Sequence, residues 1–84
     1  MQLFGIVSRV SDSNRRFVVE LQPGGHAVFE MLGGSSPVTV DDAIAGRLAA
    51  PGVQKLANLS EGAAFTAFGV TGFCTDVVAM HHVA

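Results

Sequence analysis

The chain has no tryptophan, no tyrosine and only one cysteine among its 84 residues. The two missing aromatic residues are the ones that most often form binding hot spots or stack on nucleic-acid bases. The lone Cys74 cannot form an intrachain disulfide, so we expect a reducing compartment. Charge is scarce as well: 14% of the residues are charged, against about 25% in an average globular domain. The net charge of −2 gives no general attraction for nucleic acid.

The hydrophobic fraction is high for so short a chain. With 84 residues, of which 49% are hydrophobic, the sequence predicts a single domain spanning residues 1–84 with one core. A domain of this size leaves much of its surface in water and cannot cover so many apolar groups alone. We therefore expect a partner, and the simplest partner is a second copy of the same chain, in a dimer or a larger homo-oligomer.

Membrane and export signals are missing from the sequence. Residues 1–10 lack the basic start and the long apolar segment of a signal peptide. The longest uncharged run, 62–75, is too short and too rich in glycine and threonine for a membrane helix. We expect a soluble, cytoplasmic protein without a membrane partner.

The clearest pattern lies between residues 17 and 32. Phe17, Val19 and Leu21 alternate with their neighbours at the period of a half-buried strand, and 27–32 repeats the alternation. The residues between them include Gly24-Gly25, which suits a tight turn. These features predict a β-hairpin.

Keeping one face of this hairpin apolar favours a three-residue loop, 24–26, with Leu21 opposite Phe29. In that register Glu20 lies directly opposite Glu30 on the outer face. The pair is a candidate site that shares a proton or binds a cation. The alternative is that both carboxylates simply point into water.

The remaining segments also favour strands. Residues 2–10, 63–70 and 73–83 alternate in the same way, and Gly5 inside the first predicts a bulge or a close backbone approach. Segment 41–59 is ambiguous: strands are favoured, with one short helix as the alternative. The sequence predicts an all-β fold, a small barrel of five to six strands of OB or SH3-like type. No motif is specific enough to name a family.

Candidate catalytic and metal-binding residues are few. Cys74, His81 and His82 are a thiol and two bases, but on a continuous strand Cys74 and His82 would be roughly 26 Å apart. With His26 added, the spacings match no zinc motif. We predict no catalytic residues, no metal, no cofactor and no enzymatic activity.

Three arginines lie at the ends of the first two strands. Arg9, Arg15 and Arg16 flank one turn and could contact phosphates on an OB-like barrel. The favoured function is nevertheless a non-catalytic binding or structural module acting as a homo-oligomer, with any ligand site near the subunit interface. The alternatives are a weak single-stranded nucleic-acid-binding module using the three arginines, and a small-molecule-binding protein.

Overall fold

In the computed structural model, which describes residues 2–11, 15–22, 24–32 and 38–83, six strands form a closed antiparallel barrel and one helix packs on its outside. The elements are β1 (Leu3–Val10), β2 (Arg16–Leu21), β3 (His26–Met31), β4 (Ala43–Gly46), β5 (Gly52–Asn58), β6 (Ala63–Cys74) and α1 (Asp76–Val83). The prediction of a small all-β barrel is confirmed.

The barrel consists of two meanders. β1, β2 and β3 are neighbours in sequence order, as are β4, β5 and β6, and the two sets join where β1 pairs with β4 and β3 with β6. Because β4 returns to lie beside β1, the first four strands have the spatial order 4-1-2-3 of a Greek key. Closure pairs both sides of every described strand and so leaves no open sheet edge among them.

The core is built from alternate residues of the strands. Phe17 and Phe29 are opposite each other on β2 and β3, fully buried, with ring centroids 5.7 Å apart. Phe65 of β6 completes the aromatic cluster at 6.0 Å from Phe17. The other members of this core include Val7, Val19, Leu21, Ala27, Val38, Ile44, Leu48, Leu56 and Ala67. The inward face predicted for the hairpin is therefore the observed one.

The predicted hairpin register is wrong. Leu21 pairs across the turn with the Gly25 carbonyl, and Phe17 rather than Leu21 is opposite Phe29. The shift moves each pair by an even number of residues, which keeps the apolar face inward. The observed turn uses Gly24 and Gly25 at φ values of 111° and 89°, a conformation that glycine adopts without steric cost.

The short helix considered within 41–59 does not form: β4 and β5 occupy this segment, as favoured. Ile44, Gly46 and Leu48 are all buried on one side of the chain. Gly46 has a φ of 151°, a conformation that residues with a side chain rarely adopt, and a Cβ there would lie 2.6 Å from the Leu56 side chain. A glycine at this position lets β4 and β5 approach closely in the barrel. In a helix the same glycine would be destabilising.

The predicted last strand, 73–83, is also wrong. β6 runs on through a bulge between its pairs Phe29–Gly69 and Val28–Gly72 and ends at Cys74. Thr75 then caps α1, since its hydroxyl oxygen accepts a bond from the Val78 N–H at 3.4 Å. The alternation in 73–83 suited a strand, and this cap, followed by Asp76 in the first turn, determines the helix instead.

Candidate functional site

The helix α1 is apolar on both of its faces. Ala79 and Val83 are buried against Val18 and Val28, which point outward from β2 and β3. On its exposed sides Val77, Val78 and Met80 are 63%, 42% and 48% exposed, and His81 is exposed beside them. A helix on the surface of a globular protein normally has a polar outer face. The exposed side of α1 is therefore a largely apolar surface that nothing in the described chain covers.

An ion pair anchors the carboxyl end of α1. The Nε atom of Arg16 lies 3.1 Å from Oε1 of Glu30, its cross-strand partner. A terminal guanidinium nitrogen of the same arginine donates to the His82 carbonyl oxygen at 3.1 Å. Carbonyl groups in the last turn of a helix have no partner within the helix, so a cation there both satisfies one and matches the helix dipole.

A bulge in β1 shapes the surface beside α1. Val7 pairs with Val19, whereas Arg9 pairs with Val18, so Ser8 is an extra residue on β1. Such a bulge redirects side chains. The result is a groove of about 190 Å³ between β1 and α1, which we call the helix groove. Its lining residues are Ser8, Arg9, Val18, His26, Asp76, Ala79 and Met80.

Two further hollows are larger than the helix groove but are lined by fewer residues. One, of about 320 Å³, continues along α1 and shares Arg9 and Met80 with the helix groove, adding Val77 and His81. The other, also about 320 Å³, lies between the start of β1 and the segment before β5, where Arg47 is its charged residue. The first of these extends the surface around α1.

The three arginines predicted to contact nucleic acid do not have equivalent surroundings. Arg16 is engaged by Glu30 and by the His82 carbonyl group. Arg9 faces the two hollows beside α1, and Arg15 is exposed. Of the phenylalanines that might stack on bases, Phe17 and Phe29 are inside the barrel. Nucleic-acid binding stays a prediction. Of the three arginines, Arg9 and Arg15 have no side-chain partner among the described residues.

Glu20 and Glu30 are not opposite each other. Glu20 pairs with His26, and Glu30 pairs with Arg16. The proposed carboxylate site depended on the wrong register, and the observed register replaces a like-charge contact with an ion pair. Sequence reasoning missed this arrangement because each alternative keeps the same residues inside the barrel.

Cys74 and the histidines are spread over three elements. Cys74 pairs with His26 across β6 and β3, and its sulfur lies 3.4 Å from the Thr71 hydroxyl oxygen. His81 faces the hollow beside α1, and His82 is half-buried. The 26 Å separation expected for a strand does not apply, because a helix rises only about 1.5 Å per residue. Within the described ranges, no group of three or more His, Cys, Asp or Glu residues is arranged to hold a metal ion.

A buried polar pair escaped the sequence analysis. The Asn58 side-chain nitrogen donates to Oδ2 of Asp42 at 2.9 Å, and the Thr39 N–H donates to the same oxygen at 3.0 Å. The Thr39 bond and then the Asn58 bond hold the pKa of the Asp42 carboxyl below its usual range. These contacts tie the segment before β4 to the end of β5, so their role is structural.

Comparison of the chain with protein-family models, with curated proteins and with solved structures found no match. In the part of the chain that the structure describes, no helix has the length and hydrophobicity needed to cross a membrane.

Proposed function

We propose that the chain is a non-catalytic binding or structural module that works as a homo-oligomer, with the outer face of α1 as the contact between copies. One observation carries the proposal: α1 exposes three large apolar side chains, Val77, Val78 and Met80, in addition to burying Ala79 and Val83. Helices that are apolar all round are ordinarily covered on both sides. Any ligand site of this module lies beside the same helix.

A second copy fits this surface because the contact would be self-complementary. Val77, Val78 and Met80 carry no charge, so their part of the contact between two copies brings no ion into the interface. About a twofold axis perpendicular to the helices, the two copies of α1 run antiparallel. The Asp76 end of one helix then faces the His81 end of the other.

Val78→Glu tests the proposal. The substitution places a charge on the outer face of α1, and it also completes a capping box with Thr75, since the new carboxylate is three residues after the cap. The helix itself is therefore expected to be as stable as before. We expect wild-type protein to show at least twice the monomer mass of 8.7 kDa in light scattering across a concentration series. The variant is expected to show the monomer mass.

Val53→Glu is the matched control. Val53 is 63% exposed on β5 and pairs with Phe68 at a distance from α1 along the barrel wall. The same charge placed there should leave the oligomer intact. A wild-type protein that is monomeric at every concentration contradicts the proposal. Dissociation by Val53→Glu but not by Val78→Glu would assign the contact to the β5–β6 surface and contradict the role of α1.

We also propose a cytoplasmic location. The support is chemical: Cys74 is a free thiol, and a chain without disulfides suits a reducing compartment. Localisation of the protein with a small epitope tag tests this assignment, and recovery from an oxidising compartment contradicts it.

A further inference from the structure

The helix groove brings together polar side chains from three separate elements. Arg9 comes from the bulge of β1, His26 begins β3, and Asp76 begins α1. In the part of the chain described by the structure, none of these three side chains makes a hydrogen bond or an ion pair with the protein. The ion pair formed by Arg16 shows that this barrel does pair charges where its strands bring them together. The groove instead presents a cation and an anion that are free to bind a ligand.

Apart from Ser8, the rest of the groove lining is apolar. Val18 and Ala79 are buried beneath it, and Met80 forms an exposed, flexible wall. Its volume is about 190 Å³. Sites for drug-sized ligands usually have about 300–1,000 Å³. The occupant is therefore a small molecule with an apolar part.

The two fixed charges restrict the chemistry of that molecule. A simple anion would be attracted by Arg9 and repelled by Asp76, and a simple cation would experience the reverse. A zwitterion satisfies both, since a carboxylate can accept charge-assisted bonds from the guanidinium while an ammonium donates to the Asp76 carboxylate. Ser8 and His26 add further hydrogen-bonding groups to the lining of the groove.

We propose that the helix groove binds a small zwitterion with an apolar body, of the class of free aliphatic amino acids. The carboxylate binds to Arg9, the ammonium group binds to Asp76, and the aliphatic part packs against Val18 and Met80. The inference rests on the proposed function in one respect, because it gives a ligand class for the binding module. The groove itself is formed within one copy of the chain.

The test is an NMR titration of the full chain with three probes of similar size. L-leucine has both charges, 4-methylpentanoate has only the carboxylate, and 3-methylbutylamine has only the ammonium. We expect leucine to shift the amide signals of Arg9, Val18 and Met80, with a dissociation constant at least tenfold lower than that of either analogue. The absence of shifts up to about 20 mM leucine overturns the inference. Equal binding of 4-methylpentanoate and leucine overturns it too, because it shows a site for anions only.

Two variants separate the charges. Arg9→Gln should weaken leucine binding at least tenfold, and Asp76→Asn should do the same while leaving 4-methylpentanoate binding unchanged or stronger. Arg15→Gln is the control, since Arg15 is an exposed arginine that does not line the groove. Its leucine affinity should equal that of the wild type. If Arg15→Gln weakens binding as much as Arg9→Gln, the assignment to the groove is wrong.

The failure of this inference can be distinguished from that of the homo-oligomer. Light scattering on the titrated samples gives the mass of each variant, and Arg9→Gln should keep the wild-type mass. If the wild-type protein is oligomeric but does not bind leucine, only the ligand assignment is contradicted. Monomeric wild-type protein that binds leucine contradicts only the assembly.

Discussion

The side-chain nitrogen of Asn58 donates a 2.9 Å hydrogen bond to Oδ2 of Asp42, joining residues 16 positions apart at one end of the barrel. Both residues are buried. The Asn58 side-chain oxygen in turn accepts bonds from the N–H groups of Ser60 and Glu61, both at 3.1 Å. One amide group thus links the start of β4 to the turn after β5. A fully satisfied buried network of this kind fixes a single arrangement of the chain.

Asn58→Ala should destabilise the protein by about 1–3 kcal/mol. The substitution leaves a buried carboxylate with one partner fewer and removes the acceptor from two N–H groups of the turn. Urea unfolding measures the loss, with Gln54→Ala as the control because Gln54 makes a single exposed bond to the Pro51 carbonyl. The control should change stability by less than about 0.5 kcal/mol. Equal effects of the two substitutions would show that the buried network adds nothing beyond an exposed bond.

The Asp42 carboxyl should make part of the stability dependent on pH. Its pKa is held below the usual range by the Thr39 N–H and then by the Asn58 amide. The unfolded chain therefore takes up the proton first as the pH falls. The stabilisation is fully present above the unfolded pKa, near 3.9, and is lost as the pH falls through the lower folded value.

Asp42→Asn isolates this contribution. The variant keeps the shape of the side chain without its charge, so the difference in unfolding free energy from the wild type should be largest at pH 7. It should shrink as the pH falls below about 4. Chemical unfolding at a series of pH values gives the difference directly. A difference in unfolding free energy that stays constant at all pH values would mean that the network does not stabilise the charge of the Asp42 carboxylate.

The strand pattern predicted which residues face the core but not how the strands are aligned. Alternation placed Phe17 and Phe29 inside, and both are fully buried. Sliding β3 by two residues leaves the same side chains inside, so apolar pattern alone cannot select the register. The choice depends on the turn conformation at Gly24 and Gly25 and on the Arg16–Glu30 ion pair. Neither the turn conformation nor the ion pair produces a periodic pattern in the sequence.

The surface around α1 was missed for a different reason. Val77 and Val78 are β-branched and favour a strand, and the signal for a helix was limited to the cap at Thr75 followed by Asp76. The helix groove also requires the extra residue in β1 at Ser8. A bulge depends on the pairing of two strands, so the sequence of one strand does not reveal it. The excess of apolar residues did predict an uncovered surface, but not its position.

Arg16→Gln should loosen α1 more than it destabilises the barrel. The arginine and Glu30 side chains are 36% and 31% exposed, so solvent weakens their ion pair. We expect a global loss of about 0.5–1 kcal/mol. Loss of the bond to the His82 carbonyl should instead favour local opening of the helix. Cys74 packs in the cluster under α1, and its alkylation rate in native protein should rise several-fold.

Arg15→Gln is the neighbouring control for this measurement. Arg15 is exposed, and substitution of its side chain should leave the alkylation rate at the wild-type value. A rate in Arg16→Gln that equals the wild-type rate would show that other contacts hold α1 in place. A rise that matches the fall in global stability would show that the thiol is exposed only by complete unfolding.

Gly5→Ala should destabilise the barrel by about 1–3 kcal/mol through overpacking. A Cβ atom at this position would lie 2.7 Å from the Glu20 carbonyl oxygen and would also press on Cγ1 of Val19. Val19→Ala removes one of these two obstacles. The double variant should therefore lose at least about 0.5 kcal/mol less than the sum of the two single losses. Urea unfolding of the three variants completes the cycle. If the loss in the double variant equals the sum of the two single losses, the Val19 side chain contributes nothing to the cost of Gly5→Ala. That cost would then come from the contact with the β2 backbone alone, or β1 and β2 would have moved apart at this point.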